Sequence, residues 1–143
     1  MISKECLKLN LGSRDRSLPG YQNMDCESHT GVDFVGNVSD LSLFDSESIE
    51  AIRASHILEH FPHVDTMKVL KEWSRVMVKG GILEVSVPDF KRAIELSSDG
   101  VSPWVENFLM GDQGYKTAFH YSIFDEKKLR KCLRLIKKRF LGD

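Results

Sequence analysis

The residues best suited to chemistry fall into three groups along the chain. Gly12 and Asp25 lie thirteen residues apart in the stretch "LNLGSRDRSLPGYQNMD". A glycine directly after an apolar strand lets backbone approach a ligand closely. An acid ending the next strand can accept hydrogen bonds from both hydroxyls of a ribose. His56, Glu59 and His60 form the second group, "HILEH". Asp89 in "VPDF", and His120 with Tyr121 before the last helical segment, form the third. Imidazoles and carboxylates are the usual general bases, and two histidines with an acid can also hold zinc. Each group has an ordinary structural alternative. Glycine and aspartate are common turn residues, the histidines can serve packing and hydrogen bonding, and Asp89 makes a good N-cap. His120 and Tyr121 can equally be an exposed loop pair.

The surrounding pattern alternates strand and helix signals. "CLKLNLG", "YQNMDCE", "VDFVGNV" and "IEAIRAS" read as four short strands. From Val64 to Val78 the apolar residues Met67, Leu70, Trp73 and Met77 recur at helical spacing and read as core. "KGG" offers a left-handed cap to end that helix, and "ILEVSVP" follows as a fifth strand. A helix is expected around "DFKRAIELSS", then irregular chain from Asp99 to Gly114. The last helix should run from Asp125 to about residue 140, with Leu129, Leu133, Ile136 and Phe140 as its apolar stripe. The expected architecture is a Rossmann-like, doubly wound, mostly parallel α/β sheet of about five strands. The short link between strands two and three leaves no room for a full crossover helix. No repeat or linker divides the 143 residues, so a single domain is expected.

Composition narrows the classes further. No apolar run reaches membrane-spanning length, and charge breaks up "MISKECLKLN", so a cytoplasmic protein without membrane association is expected. Cys6, Cys26 and Cys132 are scattered and odd in number, and read as reduced thiols. Residues 126–143 carry eight Lys or Arg against two acids, while the whole chain has net charge −1. That basic end is compatible with a nucleic acid or an acidic partner, although a solvated helix face is the commoner outcome.

Taken in order, "LNLGS", "PGYQNMD", "SHILEHF", "LKEWSRVMVKGGILEVSVPDF" and "HYSIFDEKKLRKCL" resemble class I S-adenosylmethionine (SAM)-dependent methyltransferases. The likeness is to the small members with an LNLGCG, H-LEH and RVLKPGG-VPD pattern, and it covers about residues 7–133. It implies SAM as cofactor, S-adenosylhomocysteine as product, and an unidentified methyl acceptor. By the same resemblance, Leu11, Gly12 and Ser13 would lie along the methionine end, and Asp25 would hold the ribose. Asn37 and Val38 would lie near the adenine, and Ser55 and His56 near the transferred methyl. His56, Asp89 and His120 are the candidates for a base. No metal ligand set is expected.

Three departures from the pattern matter. The usual Gly-x-Gly becomes Gly12-Ser13-Arg14, with a bulky residue where the backbone wants positive φ. The Arg14 guanidinium could instead pair with the cofactor's carboxylate. Lys79 replaces a proline, and the family's last two strands are not present after the final helix. Strand five would then be an open edge, which a homodimer or the 99–124 segment would cover. A non-catalytic binding or regulatory relative is the alternative function. A remoter one is a zinc hydrolase, since "HILEH" also fits H-x-x-E-H if it lies on a helix.

Overall fold

The computed structural model describes residues 7–141. Cys6 and the side chain of Phe140 lie outside the described residues and side chains. Two compact units are distinguished: Met1–Ser55 with Lys68–Val85, and His56–Met67 with Ser86–Asp143.

The first unit is built on a five-stranded sheet in the order β3-β2-β1-β4-β5. Its strands are β1 (Leu7–Leu11), β2 (Gln22–Asp25), β3 (Phe34–Val35), β4 (Ile49–Ser55) and β5 (Met77–Ser86). The sheet is parallel. In register, β1 places Leu11 beside Met24 on one flank and Ala54 on the other. Leu9, Leu11, Ile49, Ile52 and Ala54 are almost wholly buried, as expected for inner strands of a parallel sheet. No helix separates β1 from β2, β2 from β3, or β3 from β4. The short second link was legible in the sequence, and the other two follow the same economy.

Helix α1 (Thr66–Val76) connects β4 to β5. Val69, Leu70, Trp73 and Val76 are 2% exposed or less, while Met67 is only half-buried. The Trp73 indole N–H donates to Val38 O at 2.8 Å. Arg75 forks onto Glu72, Nη2 to Oε1 at 2.8 Å and Nε to Oε2 at 2.9 Å. The same guanidinium donates to the carbonyls of Leu41 and Phe44. Glu72 Oε1 accepts the Leu41 N–H at 3.0 Å, so one ion pair pins the whole link from β3 to β4.

Two expectations about these elements need correction. α1 stops at Val76, so "KGG" is not its cap; Gly80, at φ 78°, lies inside β5. The segment expected to be irregular contains a helix, α3 (Pro103–Met110), in the second unit. Its start signal was local: Ser102 Oγ accepts the Val105 N–H, and proline occupies the first turn.

The second unit also holds α2 (Phe90–Glu95) and α4 (Glu126–Leu141). Asp89 caps α2 by accepting the Lys91 N–H at 3.0 Å, and Asp125 caps α4 by accepting the Lys128 N–H at 2.7 Å. Leu129 and Leu133 are half-buried and Ile136 is buried, so the expected stripe holds over the described side chains. Among the described residues, no helix is long and apolar enough to cross a membrane.

Candidate active site

Ligands of open parallel sheets bind beyond the strand carboxyl ends, where the strand order reverses. Here that point lies between β1 and β4, and the residues leaving β1 fold back onto β2. The N–H groups of Gly12 and Ser13 both donate to Met24 O, at 2.8 and 3.2 Å. The Arg14 N–H donates to Asp25 Oδ2 at 2.8 Å, and the Glu27 N–H to Oδ1 at 3.0 Å. Gly12 and Asp25 are therefore neighbours, as the sequence suggested. The carboxylate is turned into the loop, one oxygen held by the Arg14 N–H and the other by the Glu27 N–H.

Gly12 has φ 68° and Arg14 has φ 47°. The positive φ expected of the loop's second glycine position is thus adopted by arginine, at a cost of about 1 kcal/mol. Ser13 is 4% exposed, and its Oγ has no hydrogen-bond partner. A buried hydroxyl without a partner in a ligand-facing loop is the kind of group a cofactor satisfies. Behind the loop, Asn10 and Asn23 join side chains at 2.9 Å, and Asn23 Oδ1 accepts the Leu18 N–H. Sequence reading did not single out either asparagine; both look like ordinary strand residues until the register pairs them.

The remaining cofactor candidates differ in their fit. Asn37 Oδ1, expected to face an adenine, accepts both the backbone N–H and the hydroxyl of Ser39, closing a local turn. Val38 is 5% exposed and packs in the core. Ser55 ends β4 one residue beyond Ala54, which is paired with Leu11, so it does lie at the carboxyl end of the central strands. Cys26 is no nucleophile: desolvation, then the Asp25 and Glu27 carboxylates, push its thiol up.

In the second unit the histidines gather around one acid. "HILEH" is not an α-helix: His56 has φ 55°, and Leu58–His60 is a single 3-10 turn. The helical H-x-x-E-H arrangement of a zinc hydrolase is therefore not formed. The Glu59 carbonyl instead accepts the Tyr121 and Ser122 N–H groups, at 2.8 and 3.1 Å. Ser122 Oγ donates to Phe61 O at 2.6 Å, and these bonds bring His120 alongside Glu59. Glu59 Oε1 lies 3.4 Å from His56 Nδ1 and 4.0 Å from His120 Nε2. The His60 and His120 rings meet edge-to-face at 4.8 Å, and His60 Nδ1 lies 3.0 Å from Phe119 O. Burial is the main cause lowering the His120 pKa below 6.5; Glu59 opposes it, and His60 adds to it. Asp89 serves as the α2 cap and bridges to Phe124, and no described contact joins it to this cluster. Glu59 is the residue that sequence reading undervalued. Its signal was an acid between two histidines in a turn, but only the partner segment 120–122 gives it a role.

Trp104 and Phe108 stack on each other along α3 with centroids 5.2 Å apart. Tyr115 is exposed in the following loop.

A parallel sheet ordered 3-2-1-4-5, with a glycine loop tied to the acid ending β2, is a Rossmann-like ligand-binding architecture. Residues 16–85 match the family model described as a methyltransferase domain. Similar solved structures include a Haloferax volcanii complex of the Trm112 methyltransferase activator with a protein described as a methyltransferase. That likeness has a TM-score of 0.60 at 16% identity, covering 91% of this chain and 60% of the other. A Bacillus halodurans C-125 protein, also described as a methyltransferase, gives 0.58 at 17% identity, over 90% of this chain and 61% of the other. The CMeT domain of the citrinin polyketide synthase gives 0.59 at 16% identity, over 94% and 41%. Among curated proteins, none matches. The chain spans about 60% of the length of the first two structures. Over residues 16–85 the sequence is thus similar to a methyltransferase domain, and the fold is shared with proteins described as methyltransferases.

Proposed function

We propose that the protein binds SAM and transfers its methyl group to an oxygen or nitrogen acceptor, residues 1–143 acting as one methyltransferase-like domain in the cytoplasm. The observation that carries this reading is the Gly12–Arg14 loop folded onto Asp25 at the reversal of strand order. SAM would supply an electrophilic methyl. Asp25 would accept from the ribose hydroxyls, and Ser13 Oγ would gain the partner it lacks. The exposed Arg14 guanidinium would meet the methionine carboxylate.

The protein's share of the chemistry is to align the acceptor and, where needed, take its proton. His56 fits that task better than Asp89, which is occupied as a helix cap. His56 Nδ1 lies 3.4 Å from the Glu59 carboxylate, which would steady the imidazolium formed as the ring takes the acceptor's proton. The strained φ of His56 agrees with a residue held in place for function.

Thermal unfolding with added SAM or S-adenosylhomocysteine tests the reading, because ligand at 100 times Kd stabilises the folded state by about 2.7 kcal/mol. We expect both to raise Tm and Asp25→Ala to abolish the rise. No shift at millimolar ligand would refute cofactor binding. Arg14 supports a second reading, a non-catalytic relative whose loop has lost its cofactor. Under that reading the parent shows no SAM affinity and Arg14→Gly creates it. The partner protein in the Haloferax complex also motivates assaying this chain with a protein activator, and β5, at the end of the strand order, could accept a second copy.

A further inference from the structure

Glu59 is 1% exposed, and neither carboxylate oxygen has a hydrogen-bond partner. A buried carboxylate in that state is costly unless a positive charge faces it. His56 Nδ1 approaches only to 3.4 Å and His120 Nε2 to 4.0 Å. What surrounds the carboxylate is a set of lone pairs. One donor atom each from Glu59, His60 and His120 lies within 4.8 Å of the other two.

The second layer suits the same purpose. With its Nδ1–H donated to the Phe119 carbonyl at 3.0 Å, His60 presents the lone pair of Nε2. A backbone acceptor on the far nitrogen is the usual way a metal-binding imidazole is oriented. The Tyr121 and Ser122 N–H groups donating to Glu59 O, and the Ser122 hydroxyl donating to Phe61 O, hold the segments bearing the donors together.

We propose that Glu59, His60 and His120 form a site for a divalent first-row transition metal, with open positions for water or an acceptor. Two neutral imidazoles and one carboxylate are the donor set of open zinc and non-haem iron sites. Bonds of about 2.0–2.2 Å require the donors to draw in from their present separation. His60 and His120, half-buried on either side of the acid, can do this by side-chain rotation. The site differs from the helical H-x-x-E-H motif in taking its third donor from residue 120. It does not depend on the SAM reading.

The test is titration of the chelator-treated full chain with Co2+, following visible absorption, then displacement by Zn2+. We expect one metal per chain, tighter binding of Zn2+ than of Co2+, and a higher Tm with metal. Glu59→Gln and His120→Ala should each weaken binding about tenfold or more, and His29→Ala, outside the cluster, should not. Circular dichroism checks each variant's fold. If Glu59→Gln does not fold, His60→Gln at its half-buried position decides in its place. Absence of stoichiometric uptake near pH 7.5, or uptake unchanged in His60→Gln and His120→Ala, would overturn the site. SAM affinity measured on the metal-free chain separates this outcome from failure of the methyltransferase reading.

Discussion

At Arg14, two physical effects oppose each other in one residue. Its positive φ costs about 1 kcal/mol, yet glycine there would raise the unfolded chain's entropy by a comparable amount. Arg14→Gly should therefore change stability by no more than about 0.5 kcal/mol, measurable by urea unfolding. If the guanidinium pairs with the cofactor carboxylate, SAM affinity should fall about tenfold or more in the same variant, as expected for losing a charge-assisted hydrogen bond. Calorimetry on parent and variant reads this directly. The loop's main features were visible in sequence, because glycine after a strand and an acid ending the next are local signals. The Glu59 cluster was not, since His120 reaches it only through backbone bonds sixty residues away in the chain. Asn37 Oδ1, by contrast, is engaged locally, closing a turn with Ser39 two residues on.

Among the elements, α1 does the most to organise the first unit. The Glu72–Arg75 fork holds three backbone groups of the link from β3 to β4. Hydrogen bonding from Arg75, with a further bond from Leu41, lowers the Glu72 pKa below its ordinary 4.5 against the opposing effect of burial. Because the folded value is the lower one, the pair's contribution is fully present above about pH 4.5 and is lost as pH falls through the folded-state pKa. Arg75→Ala should lower stability by about 1–2 kcal/mol at neutral pH and flatten this acid limb, in denaturant titrations from pH 3 to 7. The strands, α1, α2 and α4 were legible because period and caps agree along each of them. α3 was missed because glycines on both sides of "SPWVENFLM" obscured a Ser-Pro start. "KGG" misled for the opposite reason: a glycine pair after a helix suits a cap, but the chain had already entered β5.

Across the whole molecule, the charge is segregated toward α4. Part of it is already neutralised or anchored locally, Arg130 against Glu126 at 2.7 Å and Lys128 on the Ile123 carbonyl at 2.6 Å. The exposed Lys127, Lys131 and Lys137 remain as a solvated face. Changing these three to glutamine should leave SAM affinity within about twofold of the parent by calorimetry, because exposed charges are screened over roughly 8 Å at physiological salt. A larger drop would give the basic helix a part in cofactor binding.

The glycine pair within β5 has a bearing on solubility. Gly80 takes φ 78° inside β5, and a Cβ on Gly81 would stand 2.8 Å from Glu50 O, so neither position suits a larger residue. A left-handed residue inside a strand interrupts the straight row of amides that an outermost strand offers to passing chains. Only the stretch after it, where Ile82 is 69% exposed, keeps the regular outline on which fibrils nucleate. The left-handed turn at Gly80 thus works against runaway self-association at that point of the strand.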